Sequence, residues 1–331
     1  MSNVPLTFSP SKEYHNYRQK IGLKICSPDI GFYKKSTHNI INIEYCRLAK
    51  ENINELLRIV RGLLFDKSNS ETVLKNMASL TLTGSGLKNI AFGVKNNAEI
   101  PDRFIKDVFT HTKCSNIFIE YRNKKIVKYK GDDNKKYFIL KDKKFSYDLP
   151  AFIQINREQN ENIITSVINY LKNIVEERGK KFTGALDLYC GFGNITVFLS
   201  PYSNYITGVE SSGFAVELGK ENIKLNDINN IKFVKSDVSE FLNEIAKHNK
   251  KNFDLIVLDP PRAGIKGLTG KIAGLNPSHV IYVSCDMMTF LRDIKAFAEI
   301  GYDIAKINLI DMFPRTYHME HIAFLRKKIT V

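Results

Sequence analysis

Cys285 is the residue of this 331-residue chain whose setting best fits covalent chemistry. The apolar run 280–283 is typical of a buried strand, and Ser284 and Cys285 follow it directly. In open α/β sheets, ligands bind at the carboxyl ends of the strands. A lone cysteine is most often a small core residue, but a thiol presented to a ligand can act as a nucleophile. We interpret Cys285 as a nucleophile because of the motifs that accompany it.

A glycine-rich turn lies about a hundred residues upstream, at 187–194 (Asp-Leu-Tyr-Cys-Gly-Phe-Gly-Asn). Glycine lets a ligand approach the backbone where a Cβ would collide, and Glu210, which ends the next predicted strand, can accept ribose hydroxyl hydrogen bonds. No third glycine stands at the dinucleotide spacing, and Asp187 lies inside the strand. These features favour S-adenosylmethionine over a dinucleotide, and Asp237 supplies the acid expected near its adenosine. A purely structural turn is the alternative.

Asp259-Pro260-Pro261-Arg262 follows another predicted strand. Prolines restrict the backbone of the exit loop, so the Asp259 carboxylate should face the cofactor and the substrate. An ordinary Asp-Pro loop start is the alternative. The position directly after a glycine turn and an acid favours the functional interpretation.

The elements that must position these residues alternate between strand and helix from 151 onwards, which is typical of a parallel sheet. The predicted strands are 184–188, 204–210, 231–235, 254–259, 280–285, 304–309 and 321–325, and the predicted helices are 160–177, 195–200, 215–226, 238–248 and 287–299. Residues 1–150 form a different, strand-rich pattern. Strands are predicted at 14–25, 30–35, 40–44, 80–83, 88–94 and 116–120, with helices at 50–65 and 101–112. Pro150 marks the predicted border between two domains, 1–150 and 151–331.

Composition narrows the class of protein. A hydrophobic content of 43% with 25% charged residues is ordinary for a globular chain. No apolar run approaches 18 residues, and the first ten residues lack the pattern of a signal peptide, so we expect a cytoplasmic protein without a membrane span. Five cysteines stand far apart with no Cys-x-x-Cys pair, so we expect no disulfide framework and no metal site.

The net charge of +14 favours a polyanionic partner, with nucleic acid first. Basic residues dominate 122–145, where Tyr129, Tyr137, Phe138 and Phe145 interleave with them. A basic ribbon with aromatic residues suits phosphate contacts and base stacking. A solvated hairpin in a generally basic protein is the alternative.

Five motifs, in one order and spacing, resemble those of the bacterial S-adenosylmethionine-dependent RNA (uracil-5-)-methyltransferases that modify tRNA and 23S rRNA. They are Phe152-Ile153-Gln154-Ile155-Asn156, the glycine turn 187–194, Asp259-Pro260-Pro261-Arg262-Ala263-Gly264, Val283-Ser284-Cys285 and the segment 311–320 that ends in His318-Met319-Glu320. Residues 17–20 and 31–46 also resemble the central domain of the family, particularly of its 23S rRNA branch.

This resemblance implies a Rossmann-like class I methyltransferase domain with a mostly parallel seven-stranded sheet, preceded by a mixed α+β RNA-binding domain. It implies that Cys285 is the nucleophile that adds to uracil C6 and that Glu320 is the base that removes the C5 proton. Phe152 and Arg262 are implied to bind the substrate. The implied cofactor residues are Gln154, Tyr189, Gly191, Asn194, Glu210, Asp237 and Asp259.

Two features depart from the family pattern. The 23S rRNA members commonly carry an N-terminal RNA-binding β-barrel and a four-cysteine iron–sulfur site, whereas this chain begins too late for the barrel and only Cys46 matches a cluster position. We therefore expect no cluster, a monomer and an RNA substrate, with 23S rRNA favoured over tRNA. A cytosine-C5 methyltransferase is an alternative, although that class carries Pro-Cys where this chain has Pro261-Arg262. A second alternative is a catalytically inactive RNA-binding or chaperone module.

Overall fold

The computed structural model describes residues 4–66, 73–84, 86–123, 125–131, 137–149, 151–248 and 252–328. Its contacts divide the chain into two compact units. The α/β unit comprises Met1–Lys12, Leu140–Phe145 and Glu158–Val331, and the mixed unit comprises Glu13–Ile139 and Ser146–Arg157. Pro150, the predicted border, lies outside the described residues.

The elements follow in chain order. The strands are β1 Leu6–Ser9, β2 Lys20–Cys26, β3 Asp29–Tyr33, β4 Ile40–Asn42, β5 Met77–Thr83, β6 Asn89–Val94, β7 Asn116–Glu120, β8 Ile126–Gly131, β9 Tyr137–Leu140, β10 Lys143–Ser146, β11 Phe182–Leu188, β12 Ser203–Glu210, β13 Ile231–Lys235, β14 Leu255–Leu258, β15 His279–Ser284, β16 Tyr302–Ile310 and β17 Glu320–Lys327. The α-helices are α1 Glu51–Phe65, α2 Asp102–Thr112, α3 Arg157–Arg178, α4 Gly213–Leu225, α5 Val238–His248, α6 Thr269–Gly274 and α7 Met287–Glu299.

The α/β unit contains a sheet in the order β1-β16-β17-β15-β14-β11-β12-β13. The five strands from β15 to β13 run parallel to one another, and β17 runs antiparallel to both β15 and β16. The seven strands predicted here are all present. The prediction was wrong in one respect, because an eighth strand, β1, comes from the N-terminal end of the chain and pairs parallel with β16.

Both faces of this sheet are covered, which explains the apolar strands. Side chains alternate between the faces along a strand, so Ile281 and Val283 of β15 pack in one core cluster while Val280 and Tyr282 pack in another. The first cluster includes α3 and the second includes α5 and α7. A parallel sheet buried on both faces produces the continuous hydrophobic runs seen in the sequence.

The predicted helix 195–200 is a single turn of 3-10 helix, Thr196–Leu199. Pro201 follows two residues after Leu199 and has no N–H with which to continue the hydrogen-bond ladder. The glycine turn is therefore followed by a short, buried connection instead of a regular helix.

The mixed unit contains a sheet in the order β4-β3-β2-β5-β6-β7-β8, and β9 and β10 form a two-stranded sheet of their own. Ile21, Leu23 and Ile25 of β2 are buried in a cluster with apolar residues of α1 and α2. The residues between them, among them Gly22 and Lys24, are exposed on the face opposite the helices. One face of this sheet therefore forms the core. On the opposite face β2 and β5 carry the small or polar residues Gly22, Lys24, Ser79 and Thr81, and this part of the sheet is its polar face.

The predicted strand 14–25 begins only at Lys20. Asn16 has a left-handed backbone (φ 54°), and its N–H donates to the carbonyl of Arg47, so this stretch pairs with a loop instead of a strand. Part of the basic ribbon, at 124 and 132–136, lies outside the described residues.

No helix among the described residues is long and apolar enough to cross a membrane. In the same part of the chain, no group of three or more His, Cys, Asp or Glu residues could hold a metal ion. Cys46 is partly buried and packs against the core of the mixed unit.

Candidate active site

The α/β unit gathers most of the predicted site at one edge of its sheet. Because β11 to β15 are parallel, their carboxyl ends meet at that edge. Glu210 is the last residue of β12, and the loops that begin at this edge carry Tyr189, Gly191, Asn194, Asp237, Asp259, Arg262 and Cys285. The antiparallel strand β17 begins at the same edge with Glu320. One crevice thus receives a thiol, several carboxylates and an arginine.

Cys285 and Glu320 are placed by the register of two strands. Ser284, the last residue of β15, pairs with His321 of β17, so Cys285 and Glu320 each lie one position beyond that pair. The ring nitrogen Nδ1 of His321 contacts the Ser284 carbonyl at 3.1 Å, which secures the pairing. The thiol and the carboxyl group are close enough for the Glu320 charge to raise the pKa of Cys285.

Glu320 is buried, with 3% of its surface exposed. Burial raises the pKa of its carboxyl group well above the usual range, and the charge of Asp259 raises it further. Within the described part of the chain, its Oε2 atom has no hydrogen-bond partner. A proton-accepting oxygen is therefore held in a desolvated position with a lone pair free.

Arg262 supplies the opposing charge. Burial, Glu320 and Asp259 raise the pKa of the Cys285 thiol, whereas the charge of Arg262 and a hydrogen bond from its side chain lower it. Arg262 likewise lowers the pKa of Glu320. A thiolate is the nucleophilic form of cysteine. Arg262, which is predicted from the sequence to bind the substrate, therefore acts directly on the thiol in this structure.

The glycine turn after β11 is built from residues with a left-handed backbone. Tyr189, Gly191 and Gly193 have φ values of 63°, 55° and 93°. The N–H of Gly191 donates to Glu210 Oε2 at 3.1 Å, which ties the turn to the end of β12. A Cβ added at Gly191 would meet no atom within 4 Å, so the space beside the turn is open.

These residues fit the adenosyl cofactor that the sequence predicts. Glu210 Oε1 accepts hydrogen bonds from Ser211 Oγ at 3.1 Å and from the N–H of Ser212 at 2.8 Å. With Gly191 these are three bonds to a carboxylate that offers about four acceptor sites. One site is thus left for a ribose hydroxyl, next to a turn whose open side suits a ligand.

Two predicted cofactor residues hold the surrounding loops. The amide of Asn194 exchanges two hydrogen bonds with the amide of Asn160 on α3, at 2.8 and 2.9 Å. Asp237 Oδ1 accepts from the N–H groups of Ser239 and Glu240, at 2.8 and 3.2 Å, and thereby caps α5. Both side chains fix the shape of the crevice edge through these bonds.

Asp187, the polar residue noted inside β11, is 1% exposed. Its Oδ2 accepts from Thr196 Oγ1 at 2.6 Å, and burial raises its pKa to about 7. The hydrogen bond joins the strand to the short 3-10 turn beyond the glycines. Asp187 thus stabilises the base of the glycine turn.

Phe152 and Gln154 belong to the mixed unit. Phe152 is 67% exposed and Gln154 is 7% exposed. The carbonyl of Gln154 accepts from Gln19 Nε2 at 2.6 Å, which anchors this segment to the start of β2. Their roles toward substrate and cofactor stay predictions.

Sequence reasoning missed Asp293, a carboxylate on α7 with 2% of its surface exposed. Its Oδ2 accepts from Tyr282 Oη at 2.7 Å. The missed signal is its position, since Asp293 lies at helical spacing within an apolar stripe that includes Phe290, Ile294 and Phe297. A lone acid in such a stripe has to be satisfied by partners.

A parallel sheet with a glycine turn after β11, an acid ending β12 and β17 antiparallel beside β15 defines a class I S-adenosylmethionine-dependent methyltransferase. A model of the tRNA (uracil-5-)-methyltransferase family matches residues 10–328. The chain therefore belongs to that family of RNA-modifying enzymes.

Curated relatives agree with this assignment. The 23S rRNA (uracil(1939)-C(5))-methyltransferase RlmD of Histophilus somni is 30% identical over 325 residues, which cover 96% of this chain and 71% of that protein. RlmD of Haemophilus influenzae is 30% identical over 337 residues, covering 99% of this chain and 74% of its own length.

A solved structure shares the fold. The Pyrococcus abyssi tRNA (uracil-54, C5)-methyltransferase, solved with S-adenosyl-L-homocysteine, superposes with a TM-score of 0.74 at 24% identity. The match covers 97% of this chain and 78% of that chain. The predicted fold class, a class I methyltransferase domain with an N-terminal domain, is confirmed.

Proposed function

We propose that this protein transfers a methyl group from S-adenosylmethionine to C5 of a uridine in 23S rRNA through a covalent Cys285 adduct. The observation that carries the proposal is the β15–β17 register, which brings Cys285 and Glu320 to one edge of the sheet beside Arg262. The curated relatives that act on 23S rRNA favour that substrate over tRNA.

Uracil C5 is a weak nucleophile, and the cysteine supplies the activation. In the proposed reaction Cys285 Sγ adds to C6 as a thiolate, and the C5–C6 electron pair moves into an enolate that makes C5 nucleophilic. S-adenosylmethionine, when bound, supplies the electrophilic methyl group. Arg262 favours the thiolate because its charge and its hydrogen bond lower the pKa of Cys285.

Glu320 completes the reaction. After methylation, C5 carries both the methyl group and its original proton. The Glu320 carboxylate accepts that proton, the C5–C6 double bond forms again, and the Cys285 thiolate leaves. The free Oε2 lone pair and the low exposure of Glu320 suit a base that must act away from bulk water.

The other predicted site residues complete the proposal. Tyr189, Gly191, Asn194, Glu210, Asp237, Asp259 and Gln154 form or support the cofactor site. Exposed Phe152 stacks on the target base, which must leave its own stack to reach a thiol in a crevice. A monomer in the cytoplasm is part of the same proposal.

RNA is gripped, in this proposal, by the polar face of the mixed unit's sheet. A groove of about 620 Å³ lies on that face, over Gly22, Ser79, Thr81 and Gly93, where the strands carry small side chains. Exposed Lys24, Lys95 and Arg122 line it, with Glu120 as a single acid. A shallow groove with basic walls suits the backbone of single-stranded RNA.

Nucleoside mass spectrometry of RNA from a strain without this gene tests the function, with 23S rRNA and tRNA analysed separately. We expect 5-methyluridine to disappear from one site of 23S rRNA and to return with the wild-type gene but not with Cys285→Ala. Loss from the tRNA fraction instead would reassign the substrate. An unchanged 5-methyluridine content in both fractions would contradict the proposed uracil methylation and favour an inactive RNA-binding module. A loss of 5-methylcytidine would instead favour cytosine methylation.

A further inference from the structure

One face of α7 holds the loop that carries Arg262. Thr289 Oγ1 donates to the Arg262 carbonyl at 3.1 Å, and Arg292 Nη2 donates to the Ala263 carbonyl at 3.0 Å. The N–H of Ile265 donates to Asp293 Oδ2 at 2.9 Å. Residues 289, 292 and 293 lie on one face of a helix because they are three and four positions apart. That face therefore binds the loop at three points.

Asp293 is the centre of this arrangement. Its Oδ2 accepts from Tyr282 Oη and from the Ile265 N–H, and its Oδ1 accepts from Arg292 Nε at 2.8 Å. The carboxylate is 2% exposed, so each lost bond would leave a buried polar group without a partner. Asp293 thereby joins β15, α7 and the loop after β14.

Gly264 shows how closely the loop approaches. Its backbone is left-handed (φ 68°), and an added Cβ would overlap the Asp293 carboxylate and the Arg292 guanidinium. The loop therefore packs directly on these two side chains, with no room for any residue larger than glycine. Such contact leaves the loop little freedom to shift.

We propose that Asp293 is a positioning residue of the methyl-transfer reaction, which with Arg292 holds the 262–265 loop so that Arg262 faces Cys285. The inference rests on the proposed role of Cys285 as nucleophile. Asp293 itself acts through the loop and touches neither substrate nor thiol.

The electrostatics of the thiol explain why the position of the loop matters. The charged groups that act on Cys285 are Glu320 from β17 and Asp259 from the end of β14, which oppose the thiolate, and Arg262 from the loop, which favours it. If the loop moves, the two acids act without the opposing cation. The thiolate then becomes scarcer at any given pH.

Asp293→Asn keeps the size of the side chain but replaces one acceptor oxygen by an NH₂ donor, which must face Arg292 or the Tyr282 and Ile265 donors. Arg292→Ala removes the Ala263 contact and leaves the bonds of Asp293 to Tyr282 and Ile265, and Arg292→Lys restores a cation. Lys295→Gln is the matched control, since Lys295 lies on the same helix with an exposed side chain that pairs only with Glu299 in the described structure.

The measurement is the rate of iodoacetamide alkylation of Cys285 against pH, followed by peptide mass spectrometry so that the other four cysteines do not interfere. We expect the midpoint of this profile to lie at higher pH in Asp293→Asn and Arg292→Ala. The rate at pH 7 should fall about tenfold for each pH unit by which the midpoint rises. The kcat for methylation should fall while the KM for S-adenosylmethionine stays unchanged. Arg292→Lys should recover part of the loss, and Lys295→Gln should match the wild type.

A midpoint unchanged in both variants, with folded protein by circular dichroism, would overturn the proposal. If Asp293→Asn does not fold, the Arg292→Ala variant still tests the proposal, because the buried Asp293 carboxylate keeps its hydrogen bonds from Tyr282 and Ile265. If the Cys285→Ala variant still methylates RNA, the proposed function is wrong. The alkylation profiles of the Asp293 and Arg292 variants do not depend on that result.

Discussion

Glu320 lies beside Cys285 because β17 runs against β15 and starts where β15 ends. The pair Ser284–His321 fixes the register, and the next position on each strand presents a thiol and a carboxyl group to the same crevice. The two groups come from segments 35 residues apart in the sequence (320 minus 285), and only the antiparallel strand unites them. In the proposed reaction these two groups, held at the ends of paired strands, serve two successive steps as nucleophile and proton acceptor.

Glu320→Gln should trap the reaction halfway. Cys285 can still add to C6 and the methyl group can still be transferred, but an amide cannot accept the C5 proton, so elimination stops. We expect a protein–RNA adduct that survives denaturing electrophoresis and accumulates in amounts close to the enzyme present. The double variant Cys285→Ala/Glu320→Gln should give none, and an adduct in that double variant would contradict the role of Cys285.

Activity should rise with pH. In the proposed reaction both Cys285 and Glu320 act in their deprotonated forms, and burial raises the pKa of each above its usual range. At lower pH both groups hold protons, so kcat/KM should increase from pH 6 to pH 9, with a slope of about one to two on a logarithmic plot. Arg262→Gln should move this rise to higher pH, since it removes the charge that lowers both pKa values. A profile that is flat or falls over this range would contradict the assigned protonation states.

Gly191 and Gly193 should respond differently to alanine. Both have a left-handed backbone, which costs an L-residue about 1–2 kcal/mol. A Cβ at Gly193 would also come within 2.9 Å of Phe233 Cζ, whereas a Cβ at Gly191 meets open space. Gly193→Ala should therefore lower Tm more, and Gly191→Ala should mainly weaken S-adenosylmethionine binding.

Differential scanning fluorimetry and calorimetric titration with S-adenosylmethionine test both effects. Gly274→Ala, at the end of α6 with no atom near its added Cβ, is the control and should lower neither Tm nor the affinity for S-adenosylmethionine, because alanine suits a helix better than glycine. Unaltered cofactor affinity in Gly191→Ala would mean that the open space beside the turn is not part of the cofactor site.

The polar face of the mixed unit should contribute phosphate contacts. Lys24→Ala/Arg122→Ala removes two exposed cations beside the groove. Two lost contacts with single-stranded RNA should reduce the slope of log K against log salt by about 1.4. Fluorescence anisotropy with a labelled RNA loop measures the slope, and Lys172→Ala, an exposed lysine of α3, is the control. An unchanged slope would exclude this face as the path of the RNA backbone.

Much of the secondary structure depends on the local sequence and could therefore be predicted. The helices 238–248 and 287–299 match their predicted bounds, because each combines helical apolar spacing with an Asp one residue before its first turn. The Gly-x-Gly turn and the strand that precedes it were likewise visible from residue types alone.

Features that depend on distant pairing were not predictable. Residues 6–9 have no sequence pattern that distinguishes an edge strand from a loop. They form a strand because they pair with β16. The spacing of Asp293 places it in the apolar stripe of α7, but its partners were not predictable, because the loop after β14 supplies Ile265 and Gly264. The effect of Arg262 on the Cys285 thiol was not predictable either, because it depends on how the loops after β14 and β15 lie in the folded structure.

The pairing of β1 with β16 has a consequence for synthesis on the ribosome. Thr7 and its partner Asn308 are 301 residues apart, so β1 leaves the ribosome about 15 to 60 s before its partner at ordinary elongation rates. During that time the N-terminal segment waits unpaired while the residues of the mixed unit, which it precedes, can already fold. The sheet of the α/β unit therefore cannot gain β1 until β16 has been made, long after β1 itself.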